Sequence, residues 1–407
     1  MTQQEALEIL KSGENVFLTG EPGAGKTYTI NLFLEWLREE RKDYAITAST
    51  GIAATHVNGT TIHSWIGLGV RRHVTESVLY SIINHGFSND RINRADVLII
   101  DEISMLDAVM IDNIDLVMRK VRSDEAAFGG AQVVFVGDFF QLPPVSRDEK
   151  MEFAFESEAW KEADLKICYI TEQHRQSEGE FLDILTAMRN GAVEEKHKAR
   201  LLKCAEISGE IPATLLFTHN ADVDRINEEE LAKINAPLKT FVAESSGIPF
   251  MVDNLKKRLL SPEVLRLKVG AVVMFTRNNF EAGYVNGTIG KVVEFDQGLP
   301  VVQNKEGRRL YPTKAEWTVE ENGEVKARVK QIPLRLAWAI TVHKSQGMSL
   351  DAASVDLSGA FEYGQGYVAI SRVRSIAGLH LVGVNDMAFA VHPKVVEQDI
   401  EFRKLSK

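Results

Sequence analysis

The 407-residue chain has almost no cysteine, no long apolar run and no excess of basic charge, and each absence narrows what it can be. Cys168 and Cys204 are the only cysteines, far apart, with no CxxC spacing and no histidine cluster to complete a zinc site. Both are expected to be buried, reduced thiols. No apolar segment approaches the roughly 20 residues that span a bilayer. The opening MTQQEALEIL lacks the basic stretch and apolar core of a secretory signal. A cytoplasmic address, or a nucleoid-associated one in a bacterium, without membrane contact is therefore expected. The formal charge of −10 excludes a generally basic coat, yet a local groove can hold phosphates within an acidic protein. Basic residues do gather at Arg71 and Arg72, Lys256 to Arg258, Arg308 and Arg309, and Lys326 to Lys330. Taken singly, each such cluster reads as a solvated face.

A hydrophobic fraction of 44% and a charged fraction of 26% are those of a folded globular chain. At about 100 to 200 residues per domain, the length allows two or three domains. Over the first 170 residues a short β-branched run repeatedly ends in a polar or glycine turn and gives way to helical periodicity. Candidate strands are Val16 to Thr19, Tyr44 to Ala48, Val97 to Ile100, Val133 to Val136 and Ile167 to Ile170. Their apolar character on both faces suits a parallel sheet covered by helices on either side. Residues 63–93 carry glycines and irregular polar stretches, unlike one crossover helix, and read as a small insertion. A second α/β series runs through Leu215 to Thr218, Leu336 to Ile340, Ala353 to Val355 and Leu379 to Val382. Within it, VNGTIGKVVEF and the segment to Ile332 suggest an inserted β-barrel. The expected fold is α/β, with a first lobe over residues 1–164 and a second over 165–407 that holds the barrel at about 288–332.

Gly20-Glu21-Pro22-Gly23-Ala24-Gly25-Lys26-Thr27 matches GxxxxGK[ST] between a candidate strand and a helix, the context in which the pattern binds nucleotide phosphates. Its backbone N–H groups would close around phosphate oxygens at a helix N-terminus. Lys26 is expected to neutralise the β and γ phosphates of ATP and Thr27 to offer its hydroxyl to Mg2+. Tyr28 follows beside the nucleotide. Asp101-Glu102 closes the run Val97-Leu98-Ile99-Ile100, so Asp101 is read as the second magnesium anchor and Glu102 as the group that polarises the attacking water. A lone acidic pair is usually surface charge; beside a phosphate loop it is read as catalytic. Gln141 follows the strand Val133 to Val136 in GDFFQ, where its amide could sense the γ-phosphate or be an ordinary loop amide. Phe139, Phe140, Trp65 and Trp338 offer faces for base stacking or for core packing.

ITASTGIAA, TTIHSW, DEISMLDAVMIDNIDLVMRKVR, GDFFQLPPV, EQHRQ, LLFTHNADVDRIN, VNGTIG, AWAITVHKSQGMSLD and YVAISRVR occur in that order along the chain. From Gln3 to about Lys394 the chain resembles the superfamily 1 (group B) DNA helicases of the petite integration frequency family, with RecD-like relatives. The resemblance implies two RecA-like lobes, a wedge-like insertion in the first, an SH3-like barrel in the second, and ATP-driven 5′ to 3′ translocation on single-stranded DNA. Tailed or forked duplexes, and G-quadruplexes, are its implied substrates, and a monomer its implied state. By the same resemblance Gln3 reads adenine, while Arg175 and Arg372 reach the γ-phosphate from across the cleft. Thr50 and His63 from the first lobe, with Asn220, His343 and Lys344 from the second, would hold the DNA strand. A P-loop ATPase that signals by lobe closure without moving on DNA is the alternative.

Overall fold

The computed structural model describes the chain except residues 58, 70, 72–73, 85, 145–151, 173–178, 205–213, 219, 280, 322–323 and 407. The first lobe is a parallel sheet of β1 (Val16–Gly20), β2 (Tyr44–Ala48), β3 (Thr60–Thr61), β4 (Val97–Asp101), β5 (Gln132–Val136) and β6 (Lys166–Ile170), in the order β3-β2-β4-β5-β1-β6. Strand periodicity sorts its side chains to two cores. Val16, Leu18, Val97, Ile99, Val134 and Val136 meet one helical layer, while Phe17, Leu98, Ile100, Val133 and Phe135 point the other way.

The first layer is α1 (Gln3–Lys11) and α2 (Lys26–Glu39). Thr2 caps α1 in a reciprocal capping box with Glu5. On α2, Ile30, Phe33, Leu34 and Leu37 recur at helical spacing and are buried against the sheet. Fully burying each such side chain contributes about 1.5 to 3 kcal/mol.

Beyond β2 come α3 (Gly51–His56), α4 (Ile62–Trp65), α5 (Glu76–Asn84) and α6 (Gly86–Arg94). The stretch read as an irregular insertion is thus largely helical. Val78, Leu79, Ile82 and Ile83 form an apolar stripe on α5, which lies against α7 (Ala108–Arg122). Asp107 caps α7 through Met110 N (2.9 Å). α8 (Glu158–Glu162) leads into β6. Because β6 pairs with β1 along its whole length, the first sheet continues past the expected limit at residue 164.

The second lobe begins with α9 (Gly179–Arg189), α10 (Glu195–Leu202), β7 (Thr214–Phe217) and α11 (Asn220–Lys233). An antiparallel insertion follows: β8 (Lys239–Val242), β9 (Glu244–Gly247), α12 (Pro249–Arg258), β10 (Val264–Leu267), β11 (Val272–Phe275), β12 (Ile289–Asp296), β13 (Leu299–Asn304), β14 (Arg309–Leu310), β15 (Ala315–Glu321), β16 (Glu324–Gln331) and β17 (Leu334–Leu336). It holds a five-stranded sheet β14-β13-β12-β11-β17 around Phe275, Tyr284 and Val292. The insertion therefore starts well before residue 288. The expected strand Leu336 to Ile340 breaks in two, β17 closing the insertion and β18 (Ala339–Thr341) returning to the lobe. Trp338, between them, is half-buried against both cores.

After β18 come α13 (Val342–Ser345), β19 (Ala353–Leu357), α14 (Gln365–Ser371), β20 (Leu379–Val384) and α15 (Pro393–Leu405). The parallel order β18-β7-β19-β20 repeats β3-β2-β4-β5 strand for strand and in the same chain order. α15 then crosses back to β6, where Phe402 packs among Phe17, Phe139 and Trp160 of the first lobe.

Candidate nucleotide site and its surroundings

The phosphate loop leaves β1 at Gly20 and enters α2 through Gly25, whose φ of +88° is left-handed. A Cβ at Gly25 would overlap Gln3 Nε2, and one at Gly20 would sit 2.5 Å from Ile170 O, so both positions need glycine. Gly23 is also left-handed, and Ala24 N donates to Glu21 O (3.1 Å), closing the turn. Lys26 Nζ donates to Gly20 O (2.7 Å) and Glu21 O (3.1 Å), folded back onto carbonyls of the loop itself. Burial pushes the Lys26 ammonium below its ordinary range, against the pull of Asp138, Glu102 and Asp101. Thr27 is the second residue of α2, and Tyr28 is exposed beside it. Gln3 lies against the loop: its Nε2 donates to Ala24 O (3.0 Å) and its N to Glu172 Oε2 (2.8 Å).

Asp101 ends β4, and its Oδ1 accepts from Glu102 N (2.8 Å). Burial, then the charge of Glu102, push Asp101 up to about 7. Glu102 takes φ +52°, a left-handed conformation that costs a non-glycine residue on the order of 1 to 3 kcal/mol. Burial raises its carboxyl too, opposed by Arg372, Lys26 and a hydrogen bond from Gln346. Gln141 is buried and its N donates to Asp138 O (3.0 Å). Arg372, at the C-terminal end of α14, is 2% exposed; its Nε donates to Val368 O and its Nη2 to Ser371 Oγ, both at 2.9 Å. Arg175 lies outside the described residues.

Among the described residues no group of three or more His, Cys, Asp or Glu side chains could hold a metal ion. A cation here would rest on one or two protein oxygens and the nucleotide phosphates, the usual arrangement for Mg2+. The donor set of Thr27 and Asp101 fits that demand. Cys168 and Cys204 are free and buried, and burial pushes the Cys168 thiol up to about 12.

Two features escaped the sequence reading. Gln346, within TVHKSQG, reaches from the second lobe to donate through Nε2 to Glu102 Oε2 (3.0 Å) and Gln141 Oε1 (3.4 Å). Arg189 is 1% exposed and pairs with Asp138 (3.1 Å) and Asp399 (3.3 Å). Its place after Phe181, Ile184, Leu185 and Met188 on the buried stripe of α9 was the available signal.

The strand-contact candidates fall at equivalent places in the two repeated sheets. Thr50 follows β2 at the start of α3, with Ala53 N donating to its Oγ1 (3.2 Å), and Asn220 follows β7 as the first residue of α11. His63 sits on α4, directly after β3, where Thr61 Oγ1 caps the turn from Ser64 N (3.4 Å). His343 sits on α13, directly after β18, where Thr341 Oγ1 caps the turn from Lys344 N (3.2 Å). Thr61-Ile62-His63 and Thr341-Val342-His343 are thus one element built twice. Burial and Arg335 push the Lys344 ammonium down, against Asp224. Trp65, Phe139 and Phe140 are buried in the core, which leaves their faces to neighbouring side chains rather than to bases.

A RecA-like parallel sheet with this phosphate loop, an acidic pair two strands away and an arginine from a second lobe define a two-lobed P-loop nucleotide hydrolase. A family model described as PIF1-like helicase matches residues 3–199, and one described as DNA helicase Pif1, 2B domain matches residues 251–295. The chain is 43% identical to the ATP-dependent DNA helicase Pif1 of Psychrobacter sp. (strain PRwf-1), covering 100% of this chain and 71% of that one. It resembles the crystal structure of Pif1 helicase from Candida albicans with a TM-score of 0.81 at 34% identity over 98% of both chains. It also resembles that of Pif1 helicase from Bacteroides in complex with ADP-AlF3 and ssDNA, with a TM-score of 0.67 at 28% identity over 100% of this chain and 97% of that one. The chain belongs to the PIF1-like helicase family.

Proposed function

We propose that the chain is an ATP-dependent DNA helicase that moves 5′ to 3′ along single-stranded DNA and opens tailed or forked duplexes, acting as a monomer. The observation that carries this reading is the repeated strand-turn-histidine element. One copy lies on each lobe, and the nucleotide residues lie between the lobes. Thr50 and His63 would grip phosphate oxygens from the first lobe, and Asn220, His343 and Lys344 from the second, without reading sequence. The relatives named as ATP-dependent DNA helicases and the Bacteroides complex with ssDNA support the same reading.

Gly20, Gly23, Ala24, Gly25 and Lys26 would cradle the phosphates of ATP, and Gln3 and Tyr28 would flank the adenosine. Thr27 and Asp101 would hold Mg2+, which when bound neutralises charge on the β and γ phosphates. Glu102 would accept the proton of the attacking water, and Gln141 would orient it. Arg372 and Arg175 would stabilise charge developing on the transferred phosphoryl group. Arg372 comes from the second lobe at the end of α14, so closure onto the first lobe's phosphate loop would be favoured while the γ-phosphate is present and released after hydrolysis. Equivalent grips on two lobes that open and close convert this cycle into steps. ATP turnover measured with and without single-stranded DNA tests the reading. His63→Ala and His343→Ala should each raise the DNA concentration for half-activation about fivefold, the loss of roughly one hydrogen bond of about 1 kcal/mol. Turnover that DNA leaves unchanged at low salt would favour the signalling ATPase instead.

A further inference from the structure

Gln346 is the side chain that joins the second lobe's strand-gripping turn to the carboxylate read as the water-activating group. It is 5% exposed, and its backbone N donates to His343 O (3.4 Å), so its placement follows that of His343 on α13. Its amide crosses between lobes to Glu102 Oε2 at 3.0 Å and lies 3.4 Å from Gln141 Oε1. Glu102 needs such a partner. It stands on a left-handed backbone, at the start of a single 3-10 turn, with no capping bond from its own side chain. A hydrogen bond to one carboxylate oxygen removes the freedom of the side chain to rotate and leaves the second oxygen for water.

We propose that Gln346 is a positioning residue that aims Glu102 for hydrolysis and makes that aim depend on how DNA seats α13. The proposal rests on the helicase reading above and adds to it a named route from the DNA grip to the catalytic carboxylate. DNA phosphates at His343 and Lys344 fix α13, the His343 carbonyl fixes the Gln346 backbone, and the Gln346 amide fixes Glu102. The same amide meets Gln141, so both water-facing groups of the first lobe answer to one residue of the second. No atom of Gln346 touches the reacting phosphate in this scheme; it acts through Glu102.

The test uses the full chain and four variants, two at Gln346, one at Glu102 and one double. Gln346→Met keeps the length of the side chain and removes the donor; Gln346→Glu keeps the shape and sets like charge against Glu102. In both, ATP turnover at saturating single-stranded DNA should fall tenfold or more, on the scale of general-base and oriented-donor effects of about 10² or more. The KM for ATP and the DNA concentration for half-activation should stay within about threefold of the parent chain, which a collapsed site would not allow. Glu102→Gln supplies the background that separates positioning from mere structure: there, adding Gln346→Met should change the residual rate by less than about twofold. Saturated turnover of Gln346→Met within twofold of the parent overturns the proposal, as does full DNA-free activation of that variant or an undiminished effect in the Glu102→Gln background. Should Glu102→Gln itself hydrolyse ATP at the parent rate, the reading of the site fails, independently of Gln346.

Discussion

Replacing Arg189 by methionine should destabilise the protein by about 3 kcal/mol, and the size follows from what the guanidinium holds. Arg189 is 1% exposed and Asp138 fully buried, with Nη2 to Oδ1 at 3.1 Å and Nε to Oδ2 at 3.4 Å. Burial opposes the charge on Arg189, but Asp138, Tyr169, Tyr367 and Asp399 hold its pKa well above the ordinary value. The guanidinium carbon also lies 4.2 Å from the ring centroid of Phe140. Breaking a buried pair from one side leaves an uncompensated charge, at about 3 to 5 kcal/mol. The lower end applies here because Asp138 would keep Tyr367 Oη (3.3 Å) and Phe140 N (3.2 Å), and Asp399 would keep Arg403 (2.7 Å). Arg189→Met with Asp138→Asn removes both charges and should cost only about 1 to 2 kcal/mol in all, well below the sum of the two single variants. Urea unfolding followed by tryptophan fluorescence, applied to the two single variants and the double, measures it. A cost below about 1 kcal/mol for Arg189→Met, or simple additivity in the double variant, would refute the reasoning.

Gly364 begins α14 at φ +74°, and a Cβ there would lie 2.5 Å from Phe140 O and 2.6 Å from Gln141 O. Gly364→Ala should therefore wedge α14 and Arg372 away from the first lobe, cutting ATP turnover at least tenfold beyond the roughly 1 kcal/mol cost of its backbone, as steady-state kinetics and unfolding together would report. Chelating divalent cations with EDTA should abolish ATP turnover, and added Mg2+ should restore it, because Thr27 and Asp101 alone do not neutralise the phosphates; turnover that persists in EDTA would contradict the metal role. Cys168, its thiol pushed up to about 12, should resist a thiol reagent at pH 8 until the chain is unfolded, and mass spectrometry of the labelled native protein reads the result.

What the sequence made legible had local causes. The strands of the first sheet announce themselves because both faces are buried, so Val97-Leu98-Ile99-Ile100 is apolar throughout and ends at Asp101. The phosphate loop is legible because its glycines and Lys26 stand within eight residues. The antiparallel insertion was only half seen: strands such as β9, ESSG, are exposed along their whole length and carry no apolar alternation. The strand LAWAI was read as one because its apolar run hides the junction where the insertion hands the chain back to β18. Gln346 and Glu102 are 244 residues apart, and no spacing reveals a hydrogen bond closed by lobe packing. Nor could composition decide that Phe139 and Phe140 face the core, since the rings packed on Phe139 include Phe402 of α15, far along the chain.

The central claim is that ATP turnover between two lobes drives directed movement along a DNA strand held by two equivalent turns. Strand displacement from duplexes bearing a single-stranded 5′ or 3′ tail tests it most directly, with ATP and Mg2+ present. The account predicts displacement of the 5′-tailed duplex, and its loss both in Lys26→Ala and in the absence of ATP. Displacement that favours the 3′ tail, or that survives Lys26→Ala, would contradict it.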